Sequence, residues 1–236
     1  MSFTGIEFNG LHSFKDLGLT IESRDLGNPS KVKIMEDVPY SNMRYDFSSL
    51  YGEQQWTERT LVYKFNIAGK QAKEYFYLVE TEIQKWLTMP NQKIPLYDDM
   101  LSGFYYLAEV QEGSDNEYRF VMGTLTVTFT AYPYKIGTLP EGNDDWDEFM
   151  FDLDYAQDTS FTVNGLLNIE LENVGSRKTT PEIDLSSNMQ IIKDGVTYSF
   201  NAGKTTSRDF TLKTGTNQLR IIGNGTASFN FHKELI

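Results

Sequence analysis

The chain has 236 residues, of which 39% are hydrophobic and 14% aromatic, with no cysteine and a formal net charge of −12. That length supports one large β domain or two ordinary ones, with a core that needs no metal or disulfide staple. The lack of cysteine excludes thiolate zinc sites, iron–sulfur clusters, cysteine nucleophiles and disulfides, and the acidic balance argues against a phosphate-binding surface, which would need Lys and Arg.

The start MSFTGIEFNG has neither a basic n-region nor an apolar h-region, and no run approaches the roughly 20 apolar residues of a membrane span. The expectation is a soluble chain without a secretion signal of its own. In LVYKFNI, Leu61, Tyr63, Phe65 and Ile67 alternate with Val62, Lys64 and Asn66, the period of a strand. A long helix is expected over QAKEYFYLVETEIQKWL. Its apolar residues Tyr75, Phe76, Val79, Ile83, Trp86 and Leu87 recur at helical spacing, and Met89-Pro90-Asn91 ends it.

Tyr118–Met122 reads as another strand, turning at Gly123. The next stretch, GTLTVTFTAYPYK, places Leu125, Val127, Phe129 and Ala131 on one face and Thr124, Thr126, Thr128 and Thr130 on the other. Pro133 lacks an N–H and pushes Tyr132 toward an extended conformation, so the ladder should end there. A domain boundary is expected near Tyr134–Gly142. This gives an N-terminal domain over 1–135 and a C-terminal domain over 136–236. Because one helix cannot cover both faces of several strands, the first half reads as a sheet or sandwich with a helix on one side. Beyond the acidic run DDWDEFMFDLD, the pairs Asn164-Gly165, Asp194-Gly195 and Asn224-Gly225 each supply the positive φ of a two-residue hairpin turn. Each is followed by an alternating strand, so the second half reads as an antiparallel sandwich.

Catalytic chemistry finds little support. His12 and His232 lie at opposite ends of the chain, and no nucleophile elbow, Walker loop, zinc-protease or dinucleotide motif occurs. The acidic run Asp144–Asp154 lacks EF-hand spacing and reads as a charged edge strand rather than a calcium site or a glycosidase pair. Trp86 reads as core, and Trp56 and Trp146 as packing residues rather than sugar platforms. No cofactor, metal or catalytic residue is expected.

The segment V38-P-Y-S-N-M-R-Y-D-F-S-S-L-Y-G-E-Q-Q-W-T-E-R-T-L-V-Y-K-F65 resembles the signature of siphophage distal tail proteins, the Dit family of phages and prophages of Gram-positive bacteria. G10-L-H-S-F-K-D-L-G-L19, K93-I-P-L-Y-D-D99, F104-Y-Y-L-A108, the strand ending at Ala131-Tyr132-Pro133, and Gly215–Phe231 extend the likeness over essentially the whole chain, thinly between 136 and 210. Met43 and Arg44 stand where family members often carry a glycine. The resemblance implies a mainly β protein: a β-sandwich-like N-terminal domain with one α-helix, assembling into a hexameric ring, and a C-terminal galectin-like antiparallel β-sandwich. It implies a virion structural protein of the phage tail tip, synthesised in the bacterial host cytoplasm. The ring would join the tail tube protein to tail-tip or baseplate proteins of the tail-associated lysin type, and to a receptor-binding protein, while DNA passes through without specific binding.

Ring closure needs one patch to meet a different patch on the next subunit. The aromatic segment 40–56 offers Tyr45, Phe47, Tyr51 and Trp56 for such contacts, although packing within their own domain would account for them equally well. A second reading, from a different class, is a carbohydrate-binding module that contacts the host surface through the C-terminal sandwich.

Overall fold

The computed structural model describes residues 4–50, 52–68, 73–110, 115–119, 122–143 and 153–236. Its chain divides into two compact units, 1–135 (with residue 236) and 136–235. Among the described residues no helix is long and apolar enough to cross a membrane.

The first unit carries β1 (Ile6–Phe8), β2 (Leu11–His12), β3 (Leu19–Asp25), β4 (Met35–Asp37), β5 (Arg44–Asp46), β6 (Arg59–Ala68), α1 (Lys73–Thr88), β7 (Ile94–Asp98), β8 (Phe104–Glu109), β9 (Asp115–Arg119) and β10 (Met122–Ala131). Its main sheet is antiparallel, in the order β2-β1-β7-β8-β10-β6-β3, with β9 also paired to β10. The alternation read in β6 and β10 is realised in register. Leu125 lies opposite Phe65, Val127 opposite Tyr63 and Phe129 opposite Leu61, all fully buried. Each such large side chain contributes about 1.5–3 kcal/mol by leaving water.

Helix α1 seals this face with Ile83, Trp86 and Leu87, which join the same core as Ile6, Phe8, Leu19 and Leu96. The Trp86 indole N–H donates to the Phe8 carbonyl, and the two rings meet edge to face at 6.2 Å. The side chains of Tyr75, Phe76 and Val79 lie outside the described residues. Asp98 is buried with the apolar groups and accepts hydrogen bonds from Tyr63 Oη and from Arg24 Nε, each at 3.0 Å. Burial, together with this carboxylate, pushes the Tyr63 hydroxyl well above its ordinary pKa.

Gly123 does not make the expected turn. It pairs with Ile67 on one side and Tyr118 on the other, inside the ladder, while Met122 already pairs with Arg119. A turn that sequence reading passed over is Asn9-Gly10, with φ of 47° and 74°, which closes β1 onto β2.

The second unit continues through β11 (Lys135–Gly137), β12 (Ser160–Asn173), β13 (Glu182–Leu185), β14 (Met189–Lys193), β15 (Val196–Phe200), β16 (Gly203–Thr206), β17 (Gly215–Asn230) and β18 (Glu234–Leu235). Its centre is the ladder between β12 and β17, paired without interruption from Ser160↔Ser228 to Asn173↔Gly215. The free edge of β17 takes two partners in succession: β14 along 219–222 and β13 along 227–230. Odd-numbered residues of both long strands, among them Val163, Leu171, Ile221 and Phe229, fill one core with Ile183, Leu185 and Ile191.

Only one of the three expected hairpin turns in this half is a turn. Asp194-Gly195, at φ 52° and 79°, joins β14 to β15. Asn164-Gly165 and Asn224-Gly225 instead lie opposite each other in mid-ladder, Asn164 paired with Asn224 and Gly165 with Gly223. The glycines are there for space and backbone freedom. A Cβ on Gly225 would sit 2.2 Å from Ser186 Oγ, and one on Gly223 would sit 2.7 Å from Met189 Cγ, where the chain crosses from β13 to β14. Gly165 adopts φ 79°, and its N–H donates to Asn224 Oδ1 at 3.0 Å.

Candidate subunit interface

Between β3 and β6 the chain leaves the main sheet as an arm, residues 28–57. Its base is fixed by close packing. Gly27 at φ 50° lets the backbone approach so closely that a Cβ there would lie 2.4 Å from the Thr60 carbonyl. The buried Arg59 guanidinium donates to the carbonyls of Pro133 and Gly27 and lies over the Tyr106 ring, 5.3 Å from its centre.

From that base two extended segments run outward. Thr57 N–H donates to Ser30 O and Val32 N–H to Gln55 O, with Gln54 Nε2 also reaching Val32 O. Further out, Phe47 N–H donates to Ile34 O, and β4 pairs with β5 as a separate two-stranded sheet. The turn between them holds Tyr40 at φ 62°, a conformation that costs a residue with a Cβ about 1–2 kcal/mol. Asp46 braces the arm, accepting from Lys33 Nζ at 2.7 Å and from Ser48 N at 2.9 Å. These bonds, the lysine's first, hold its carboxyl far below the ordinary carboxylate range.

Among the described residues no side chain of the arm belongs to either hydrophobic core. Ile34, Met35, Tyr40, Met43, Tyr45, Phe47 and Leu50 are all exposed, Tyr45 at 55% and Phe47 at 38%. Tyr45 and Phe47 meet ring to ring at 6.1 Å. Trp56 sits half-buried nearer the base, with Lys31 Nζ 5.6 Å from its ring centre. Tyr51 lies outside the described residues. Sequence reading named the aromatics but missed the aliphatic residues beside them. Ile34, Met35, Met43 and Leu50 carry no clear periodicity, the ordinary sign of an apolar residue destined for a core.

The other residues singled out in the sequence have structural surroundings. His12 is buried, its Nε2 3.1 Å from Asp99 Oδ2, while Nδ1 accepts the N–H groups of Phe14 and Lys15. His232 Nδ1 lies 2.8 Å from the Gly137 carbonyl oxygen. Of the acidic run, residues 144–152 lie outside the described residues. Among the described residues no three metal-ligating side chains converge.

No protein-family model matches the sequence, and no curated protein does either. The fold does have a solved counterpart. The chain superimposes on the Dit (gp 19.1) protein of SPP1 over 100% of both chains, with a TM-score of 0.68 and 12% identity. That protein is described as a paradigm of the hub adsorption apparatus in phages infecting Gram-positive bacteria. A chain of the phage p2 baseplate in its activated conformation aligns over 98% of this chain and 97% of its own, with a TM-score of 0.43 and 9% identity. The resemblance to distal tail proteins read from the sequence therefore holds at the level of the fold: mainly antiparallel β structure with a helix in the first unit.

Proposed function

We propose that the protein is a structural hub of a long non-contractile phage tail. Six copies close into a ring through the N-terminal domain, residues 1–135, and the C-terminal sandwich, 136–236, is carried with it. The ring joins the tail tube to tail-tip or baseplate proteins at the virion's tail tip and lets DNA through.

The observation that carries this reading is the arm. A chain whose fold matches a hub protein from end to end also extends a ribbon whose apolar side chains have no core of their own. Exposed aromatic and methionine side chains in such a cluster favour burial against a partner. A ring is built by a heterologous contact, in which the arm of one copy lies on a different surface of the next. The net charge of −12 suits a conduit that must not hold a polyanion.

The sugar-binding alternative would use the outer face of β12, β17 and β14, where Asn168, Glu170, Gln218 and Arg220 line a shallow depression. Those groups are already engaged with one another: Gln218 Nε2 donates to Glu170 and Arg220 Nε to Asn168, both at 3.2 Å. Among the described residues no aromatic ring lines the depression to stack on a saccharide.

Multi-angle light scattering on the purified chain tests the hub reading. A mass of six chains is expected, falling to one chain for the double variant Tyr45→Ser/Phe47→Ser. A monomer at every concentration, or an intact ring in the variant, would overturn it.

A further inference from the structure

The second unit buries an unusual set of charges just beyond the ends of its long ladder. Lys233 follows β17, its side chain only 10% exposed, and its Nζ is in direct contact with Asp154 Oδ1. Asp154 precedes β12 and is itself only 14% exposed. Glu141, 3% exposed, places Oε1 4.0 Å from the same Nζ.

Backbone structure holds the three together. Gly137 N–H donates to Lys233 O and Glu141 N–H to Phe231 O, so residues 137–141 run alongside 231–233. Gly137 leaves room for the lysine stem: a Cβ there would lie 3.1 Å from Lys233 Cγ and 3.3 Å from Cε. Gly142, at φ 73°, brings the turn so close to Gln157 and Thr159 that a Cβ would sit 2.8 Å from the Gln157 carbonyl. Both glycines are thus required by the cradle around the lysine and the glutamate.

A solvated salt bridge would be ordinary; a dry one beside a second carboxyl is not. Burial lowers the Lys233 pKa, against the attraction of Glu141, and so favours the neutral, nucleophilic amine. Burial raises that of Glu141, against Lys233 and a hydrogen bond from Gln157, and so keeps a proton available on it. An amine and a carboxyl fixed in contact also gain the entropic advantage of an intramolecular reaction.

We propose that Lys233 and Asp154 are joined by an intramolecular isopeptide bond between Nζ and Cγ, formed by the chain itself with Glu141 carrying the protons. Transfer of one proton from the ammonium to the Asp154 carboxylate gives a neutral amine and a neutral carboxylic acid. The Nζ lone pair attacks Cγ, and the C–N bond forms as the carbonyl π electrons move onto oxygen. Glu141 takes a proton from nitrogen and returns one to the departing hydroxyl. The C–O bond breaks, the carbonyl re-forms and one water leaves. The product is a secondary amide with Glu141 regenerated, and no oxidant, reductant or other reactant is consumed.

Intact-mass and peptide mass spectrometry of the denatured full chain tests this. The wild type is expected to be lighter than its sequence by one water, and trypsin should fail to cut after Lys233, leaving one branched peptide that contains Asp154 and Lys233. Asp154→Ala should have its full sequence mass. Glu141→Gln should fold, as judged by circular dichroism, and also keep its full mass. A wild type at full sequence mass, cleaved normally after Lys233, would overturn the bond. A Glu141→Gln protein that still loses water would overturn the role given to Glu141.

Discussion

Two antiparallel ribbons dominate this molecule, and they differ in what covers them. The β12·β17 ladder shares one core with the side chains of β13 and β14, and its inner face is buried there. The arm at 28–57 is a ribbon of the same kind, but its apolar side chains meet solvent. A two-stranded ribbon in isolation is at best marginally stable, because it can bury little on either face. The ladder gains its stability from within its own chain. The arm is held in shape by turns, ion pairs and its anchored base, and its apolar surface gains nothing from a core of its own.

The contrast is sharpest where a single inner side chain is removed. Phe229→Ala in the ladder, which deletes a fully buried ring in contact with Phe161, is expected to cost about 3–5 kcal/mol in urea unfolding of the chain. Gly225→Val should cost about 1–3 kcal/mol, because φ 131° and the nearby Ser186 hydroxyl both oppose a Cβ. In the arm, Tyr45→Ser/Phe47→Ser should change the unfolding free energy of the monomer by no more than about 0.5 kcal/mol. A loss comparable to that of Phe229→Ala would break the comparison, since the arm would then be part of a core.

The smallest effect concerns the carboxylates that brace each unit. Asp194, held by Lys213 first and then Lys193, should titrate at about 2 instead of its ordinary 3.8 when followed by carboxyl NMR. Its folded-state pKa is depressed, so its slight contribution to stability is full above 3.8 and is lost as pH falls toward 2. Lys213→Ala should return the midpoint toward 3.8.

Regular alternation made the centre of the first unit legible, because a side-chain period of two admits one buried face in β6 and β10. Helix α1 was legible for the analogous reason in Ile83, Trp86 and Leu87. Asn164-Gly165 and Asn224-Gly225 misled because the local signal for a hairpin turn and for a strand glycine at positive φ is the same. What separates them is the chain that crosses above, Ser186 and Met189, and no window around the glycine contains it. The candidate interface was half legible: Tyr45 and Phe47 stood out as aromatics, whereas their exposure depends on β4 and β5 leaving the main sheet. The Lys233–Asp154–Glu141 cluster joins residues distant in sequence, so no local window contains it, and Asp154 read only as the end of an acidic run.

The ladder has one further property, which lies in its ends. Because β12 and β17 are antiparallel, the chain enters at Ser160 and leaves near Asn230 on the same side. Tension applied across those two points would peel the strands apart one pair at a time, like a zipper opened from its tab, which is the direction in which a ribbon resists least. Lys233 and Asp154 sit just outside that opening. A bond between them would carry the load past the first pair, so that a pull on the chain never reaches the zipper.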